Sequence, residues 1–371
     1  MNPSIQTGQR AALPSSGMLF TGCGLGAAMH PAEHAMAAAG GASVATQTGS
    51  RPREVVVKGR RVKTVDVHAH CVVPAAAQVL GINATEHHQQ GIVLVPEERM
   101  RAMDEHGIDV EALSINPFWY KADRDQASEV VRLNNENLAE LCGKHPDRFV
   151  AFASVALQFP ELAAQQLEHA VKKLGLRGAA VGASCAGDEF ADPRFHPFWR
   201  KAEELGILIF LHPQGTPELG KRLQGSGGLE NIIGNPLETT IALSHLIFEG
   251  TLDMFPGLKI CSAHGGGYLA SYMDRSDAVM KTFPKRITTK IRKKPTEYLK
   301  QLYYDALIFT PEALRHLVAN VGASQIMLGT DYPYPWEDRP VDHLIATPGL
   351  SDDERIAILG ATAARLLGIK D

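Results

Sequence analysis

No apolar run in this chain reaches the ~18 residues that crossing a bilayer takes, so the sequence offers no membrane span. It has no CxxC pair, and its five cysteines (Cys23, Cys71, Cys142, Cys185, Cys261) are odd in number and scattered. That argues against a disulfide framework and for a reducing compartment. Neither sign of charge dominates: 37 Lys and Arg stand against 41 Asp and Glu, a net charge of -4. Such a balance gives no reason to expect nucleic acid or an anionic membrane as partner. No GxGxxG follows the first strand-like run, so the phosphate-binding fingerprint of an open doubly wound sheet is missing. What remains, 44% hydrophobic and 21% charged, is the composition of a soluble globular protein.

Residues 1–60 read as an extension. Met18 to Ala45 is rich in Ala, Gly and Met, and a weak apolar patch from Met18 to Met29 follows Gln9-Arg10. A basic start before an Ala-rich stretch resembles an eroded export signal, but the glycines and the single arginine favour a disordered or partner-clasping segment. The expected compartment is the cytoplasm, with the periplasm as alternative if residues 1–45 act as a signal.

Residues 61–371 alternate short β-branched runs with amphipathic stretches. Expected strands are Thr64–Val72, Val110–Ile115, Phe149–Val155, Gly178–Ala183, Ile207–His212, Lys259–His264, Leu302–Ala306 and Ile326–Asp331. Expected helices between them are Pro96–His106, Ala127–Lys144, Glu161–Leu174, Pro197–Leu205, Pro236–Phe255, Pro311–Val321 and Asp352–Leu359. Strands alternating with helices in this number predict an α/β fold, a closed (β/α)8 TIM barrel. Three connections are longer than a barrel needs. Pro74–Val95 and Gln214–Asn235 leave strand ends on the face where barrels keep their active sites. The third, Met280–Thr296, carries Lys281, Lys285, Arg286, Lys290, Arg292, Lys293 and Lys294, a solvated loop or an anion-attracting rim.

The strongest local signal is Val65-Asp-Val-His-Ala-His70. Alternate side chains of a strand share a face, so His68 and His70 point the same way. Two buried imidazoles left unpaired would be costly, and a metal ion relieves both. Three other strand-like runs end in compatible groups: His212-Pro213, His264-Gly-Gly-Gly267 and Asp331-Tyr-Pro333. Each alone reads as a turn residue. Together on one barrel rim they supply three imidazoles and a carboxylate for one divalent ion, with one histidine to spare. Zinc suits that set; Mn, Co and Fe are acceptable.

The motifs His68-Ala-His70, Phe195-His-Pro-Phe-Trp199, Phe210-Leu-His-Pro213, Ala263-His-Gly-Gly-Gly267 and Gly329-Thr-Asp-Tyr-Pro333 resemble those of the amidohydrolase-related family typified by aminocarboxymuconate-semialdehyde decarboxylase. The resemblance runs from about Val62 to Ile369. It implies that His68, His70, His212 and Asp331 hold the metal, that His264 is the catalytic histidine and that Arg275 binds the substrate carboxylate. It also implies a homodimer. Related hydroxybenzoate decarboxylases often carry glutamate at the first histidine; His68 places this chain nearer the muconate-semialdehyde branch. At Asn231–Asn235 the family's substrate-contacting tryptophan is absent, which leaves the substrate open.

The expected function is non-oxidative decarboxylation of a small aromatic, heteroaromatic or muconate-type carboxylic acid, with His264 as acid and base. A hydrolase or hydratase in the same site is the alternative. Asp331 has two roles open to it, metal ligand and shared base. Asn116 reads as a hydrogen-bond donor to substrate or as simple turn chemistry. Phe118 and Trp119 read as walls of a ring pocket or as a plug under the Pro74–Val95 connection. Glu86, His87 and His88 read as solvated.

Overall fold

The computed structural model describes residues 52–84, 96–285, 288–289, 291–334, 336 and 339–370. The expectations for residues 1–51, for Glu86, His87 and His88, and for Arg286 and Lys290 lie outside the described residues. Eight parallel strands form one sheet: β1 (Val65–His70), β2 (Val110–Ser114), β3 (Phe149–Ala153), β4 (Gly178–Val181), β5 (Leu208–Leu211), β6 (Lys259–Ser262), β7 (Tyr303–Asp305) and β8 (Ile326–Met327). Each pairs with the next in parallel register. β8 returns to β1 through an Ala69–Tyr332 bridge. Val67 N–H donates to Leu328 O (2.9 Å), Asp331 N–H to His68 O (2.8 Å) and His70 N–H to Tyr332 O (2.7 Å). The ring is therefore closed, and the expected (β/α)8 barrel is what the chain builds.

A helix follows each strand: α1 (Pro96–His106), α2 (Arg124–Lys144), α3 (Pro160–Lys172), α4 (His196–Leu205), α5 (Asn235–Phe248), α6 (Leu269–Thr282), α7 (Pro311–Val321) and, after β8, a tail that starts at Asp352–Ile356 and ends at Thr362–Leu367. Their starts obey local chemistry. Asp123 and Thr310 accept from the backbone N–H three residues on, and proline opens α1, α3 and α7. Several boundaries shift from the sequence reading, and the two largest shifts have clear causes. The run expected to be one helix to Phe255 breaks after Phe248, because Gly250 takes a left-handed φ of 82° that stops helical bonding. β8 is only two residues long, because beyond it the chain leaves the ladder and Leu328 N–H donates to Ile358 O.

Alternate strand residues face two environments, as the strand period requires. Phe149, Ala151 and Ala153 join the helices in one apolar cluster, while Val150 and Phe152 belong to a second inside the barrel. There Phe152 and Phe210 stack with centroids 5.6 Å apart, and Leu366 and Leu367 of the tail close the floor. The described part of the extension also packs: Val56–Val57 and Arg60–Arg61 form a hairpin whose Val55 and Val57 enter the larger cluster. Arg99 on α1 is fully buried. Its Nε donates to Glu111 Oε2 on β2 (2.8 Å), and its guanidinium carbon lies 3.0 Å from the centroid of the Tyr332 ring. A buried cation thus sits at the seam of the ring. The described cysteines are all free, and no helix among the described residues is long and apolar enough to cross a membrane.

Candidate metal centre

His68 and His70 end β1, His212 follows β5, and Asp331 follows β8, all at the C-terminal mouth. Their donor atoms lie within 4.8 Å of one another, and all four residues are buried. The sequence period brought the two β1 histidines together as expected: their Nε2 atoms are 3.0 Å apart. Asp331 Oδ1 lies 2.9 Å from His70 Nε2 and 3.2 Å from His68 Nε2. His212 Nε2 and Asp331 Oδ1 are buried with no hydrogen-bond partner. Orphaned buried acceptors converging on one point are costly unless something binds them.

The outer nitrogens are all committed, which decides the tautomers. His68 Nδ1 meets Asp305 Oδ2 at 2.6 Å, and His212 Nδ1 meets Pro213 O at 2.7 Å. His70 Nδ1 meets Ser114 Oγ at 3.1 Å, while that hydroxyl donates to Ala69 O. Each Nδ1 therefore carries a proton and each Nε2 faces the centre, where an ion would take its lone pair, displacing the Nε2 proton of His68, the arrangement a metal-binding histidine needs. The residues present fit one divalent ion with three nitrogen donors and one oxygen donor.

Charge within the centre is divided unevenly. Burial pushes the imidazoles of His212 and His70 below their ordinary value, so both stay neutral and available. Burial works on His68 in the same direction, but the carboxylates of Asp331 and Asp305 outweigh it and hold its pKa up at about 10. Burial opposes ionisation of Asp331 too, yet the surrounding histidines keep it well below the usual carboxylate range. Without an ion, His68 and Asp331 compensate one another.

His264 stands beside this set. Its Nε2 is 3.8 Å from Asp331 Oδ2, its side chain is 19% exposed where the four ligand candidates are nearly sealed, and its Nδ1 has no partner. Asp331 Oδ2 also accepts from Trp336 Nε1 at 2.7 Å.

The other expected site residues are placed unevenly. Asn116 is buried at the end of β2 with an unpartnered side-chain oxygen. Phe118 is half-buried, packed on Trp119 and on the small cluster of Val72, Ala77 and Ala84 beneath the connection after β1. Trp119 is fully buried and spends its indole N–H on Val155 O (2.9 Å), so it is core and not a pocket wall. Arg275 is exposed on α6. It borders a cavity of about 430 Å³ shared with Phe248, Glu249 and Thr289, none of which belongs to the metal centre. Sequence reasoning missed Asp305, Ser114 and Trp336. Asp305 carried a usable signal, since it too closes a strand, in Tyr304-Asp-Ala306.

A parallel barrel whose mouth gathers three histidines and an aspartate is of the metal-dependent amidohydrolase class. The family described as amidohydrolase matches residues 65–369, and the chain belongs to it. It is 30% identical over 277 residues to 2-amino-3-carboxymuconate-6-semialdehyde decarboxylase of Dictyostelium discoideum, covering 74% of this chain and 77% of that one. It is 32% identical over 296 residues to gamma-resorcylate decarboxylase of Rhizobium radiobacter, covering 75% and 88%. Among solved structures, dihydroxybenzoic acid decarboxylase of a Polaromonas species, with bound manganese and the inhibitor 2-nitroresorcinol, superposes with a TM-score of 0.73 at 27% identity, over 83% of this chain and 97% of that one.

Proposed function

We propose that this enzyme, a carboxy-lyase of the amidohydrolase superfamily, removes CO2 without oxidation from a small aromatic, heteroaromatic or muconate-type carboxylic acid. The observation that carries the reading is His264: an imidazole beside a complete four-donor set, partly exposed and not needed as a ligand. His68, His70, His212 and Asp331 would hold the ion. When bound, it would lower the cost of ionising an oxygen at neutral pH and neutralise charge developing beside it.

The remaining steps belong to the protein. His264 delivers a proton to the carbon that bears the carboxylate, the bond to that carboxylate breaks, and its electron pair stays with the ring or diene as CO2 leaves. Its exposed edge allows the imidazole to regain a proton from solvent. Asp331 Oδ2, fixed by Trp336, stabilises the protonated imidazole across 3.8 Å. Asn116 would bind a substrate donor through its free oxygen, and half-buried Phe118 would border the ring. A carboxylate anchor by Arg275 forms no part of this reading, because the cavity it borders is lined by no residue of the metal centre.

Zinc is our preferred ion for three imidazoles and a carboxylate, although the Polaromonas relative holds manganese. Elemental analysis of protein purified without added metal decides between them. The function is tested by incubating zinc- or manganese-loaded enzyme with hydroxybenzoates, pyridine carboxylates and muconate-type acids and weighing the products. Loss of CO2 from any of them supports the reading. Gain of water moves the enzyme to the hydratases or hydrolases.

A further inference from the structure

We infer that Asp305 is a positioning residue that couples the metal centre to the turn presenting His264. It is the last residue of β7, fully buried, and its two oxygens serve two different parts of the site. Oδ2 lies 2.6 Å from His68 Nδ1. Oδ1 accepts from Gly265 N–H at 2.8 Å, the peptide directly after His264, and from Leu307 N–H at 3.2 Å. Both oxygens are therefore taken up inside the protein, one by His68 and the other by two backbone N–H groups.

One carboxylate therefore fixes which nitrogen His68 turns inward and where the backbone sets His264. The fold makes room for this pairing at one point. A Cβ on Gly329 would fall 2.7 Å from Asp305 Cβ and 3.1 Å from His68 Cβ, so only glycine there lets the two side chains lie together. The His68 half of the inference stands on donor geometry alone. The His264 half rests on the function proposed above.

Asp305→Asn is the discriminating change because it alters hydrogen-bond polarity at nearly constant shape. An amide has one acceptor atom and one donor group. With its oxygen toward His68, the NH2 meets Gly265 N–H; with its oxygen toward Gly265, the NH2 meets the Nδ1 proton that His68 must keep to offer Nε2. Either orientation sets donor against donor on one arm. In the full chain we expect zinc affinity, measured by chelator competition, to fall on the order of 10–100-fold, or else the Gly265 amide to lose its downfield shift and its protection from exchange. With saturating metal, kcat should fall while KM changes little.

Wild-type zinc affinity together with an unchanged Gly265 amide overturns the inference. A measurement on the unmutated protein guards against a variant that fails to fold. In 15N-histidine spectra of the zinc-loaded enzyme, His68 must bind through Nε2 and keep a proton on Nδ1; ligation through Nδ1 overturns the inference equally. If the wild-type enzyme releases CO2 from no acid, the decarboxylase reading fails, while the affinity, amide and tautomer results still decide the role of Asp305.

Discussion

His264 Nε2 faces Asp331 Oδ2 across 3.8 Å, and the two residues share an uncommon backbone, with φ of 56° and 60°. A non-glycine residue in this region costs about 1–3 kcal/mol and is tolerated only where its surroundings hold it there. His264 lies two residues beyond β6 and Asp331 four beyond β8, and the reversal of φ turns each side chain into the mouth. Strain at two residues that meet supports reading the pair as working parts.

Replacing His264 with alanine should leave metal content at the wild-type level and lower kcat by about 10²–10⁴-fold, the range of a lost general acid or base. Elemental analysis beside steady-state kinetics checks this. A metal-free variant would make His264 a ligand and reassign the site.

Asp331→Ala and Trp336→Phe separate two oxygens of one carboxylate. The first should abolish metal binding and activity together. The second removes only the indole N–H on Oδ2 and should retain metal while shifting the pH profile of kcat/KM, because His264 then faces a less restrained anion. Trp336 is 41% exposed, whereas Trp119 and Trp199 are fully buried, so its fluorescence should also report ion binding. A phenylalanine variant with an unchanged pH profile would leave Trp336 without influence on the pair.

Arg99→Met leaves the buried carboxylate of Glu111 without its partner. Breaking such a pair costs about 3–5 kcal/mol, to be read as a lower denaturation midpoint. Adding Glu111→Gln should recover most of the loss. A single variant as stable as wild type would show that the pair does not hold the seam.

Glu238 on α5 accepts from Gln214 N–H (2.5 Å), Gly215 N–H (2.6 Å) and Ser184 Oγ (3.3 Å), and so clamps the loop after His212. Burial pushes its pKa up to about 7, against those donors and with Glu218 nearby. A raised pKa means the folded carboxyl keeps its proton where the unfolded one has lost it. Stability from this group is full below about pH 4.5 and is lost as pH rises through about 7. At 1.36 kcal/mol per unit, the loss is at most about 3.5 kcal/mol. Denaturation of wild type and Glu238→Gln across this window should give a shallower pH slope for the variant; parallel slopes would sink the assignment.

Much of this could be read from sequence, and the reasons are local. α1 and α7 appear at their expected residues because a proline start and an apolar stripe need no tertiary context. The histidines of the candidate metal centre were legible because strand period and strand ends alone place them. The strand end at Asp305 was equally visible, but its pairing was not, because its two partners come from β1 and from the turn after β6, which meet only once the ring closes. Sequence left Trp119 and Arg275 open for a related reason: a mouth residue can face the cavity or the packing beneath it, and an exposed helical arc can face the rim or away from it.

The closure of the ring has a further consequence. β1 and β8 share few ladder bonds, yet His68 and His70 lie on one side of that junction and Asp331 on the other. An ion held by all of them would act as a clasp between the start and the end of the domain. Occupancy would then govern the lifetime of the protein as well as its chemistry, since a ligand bound only by the folded state adds about 2.7 kcal/mol at a hundredfold excess over Kd. Short of metal, the same chain would stand less firmly folded by that amount.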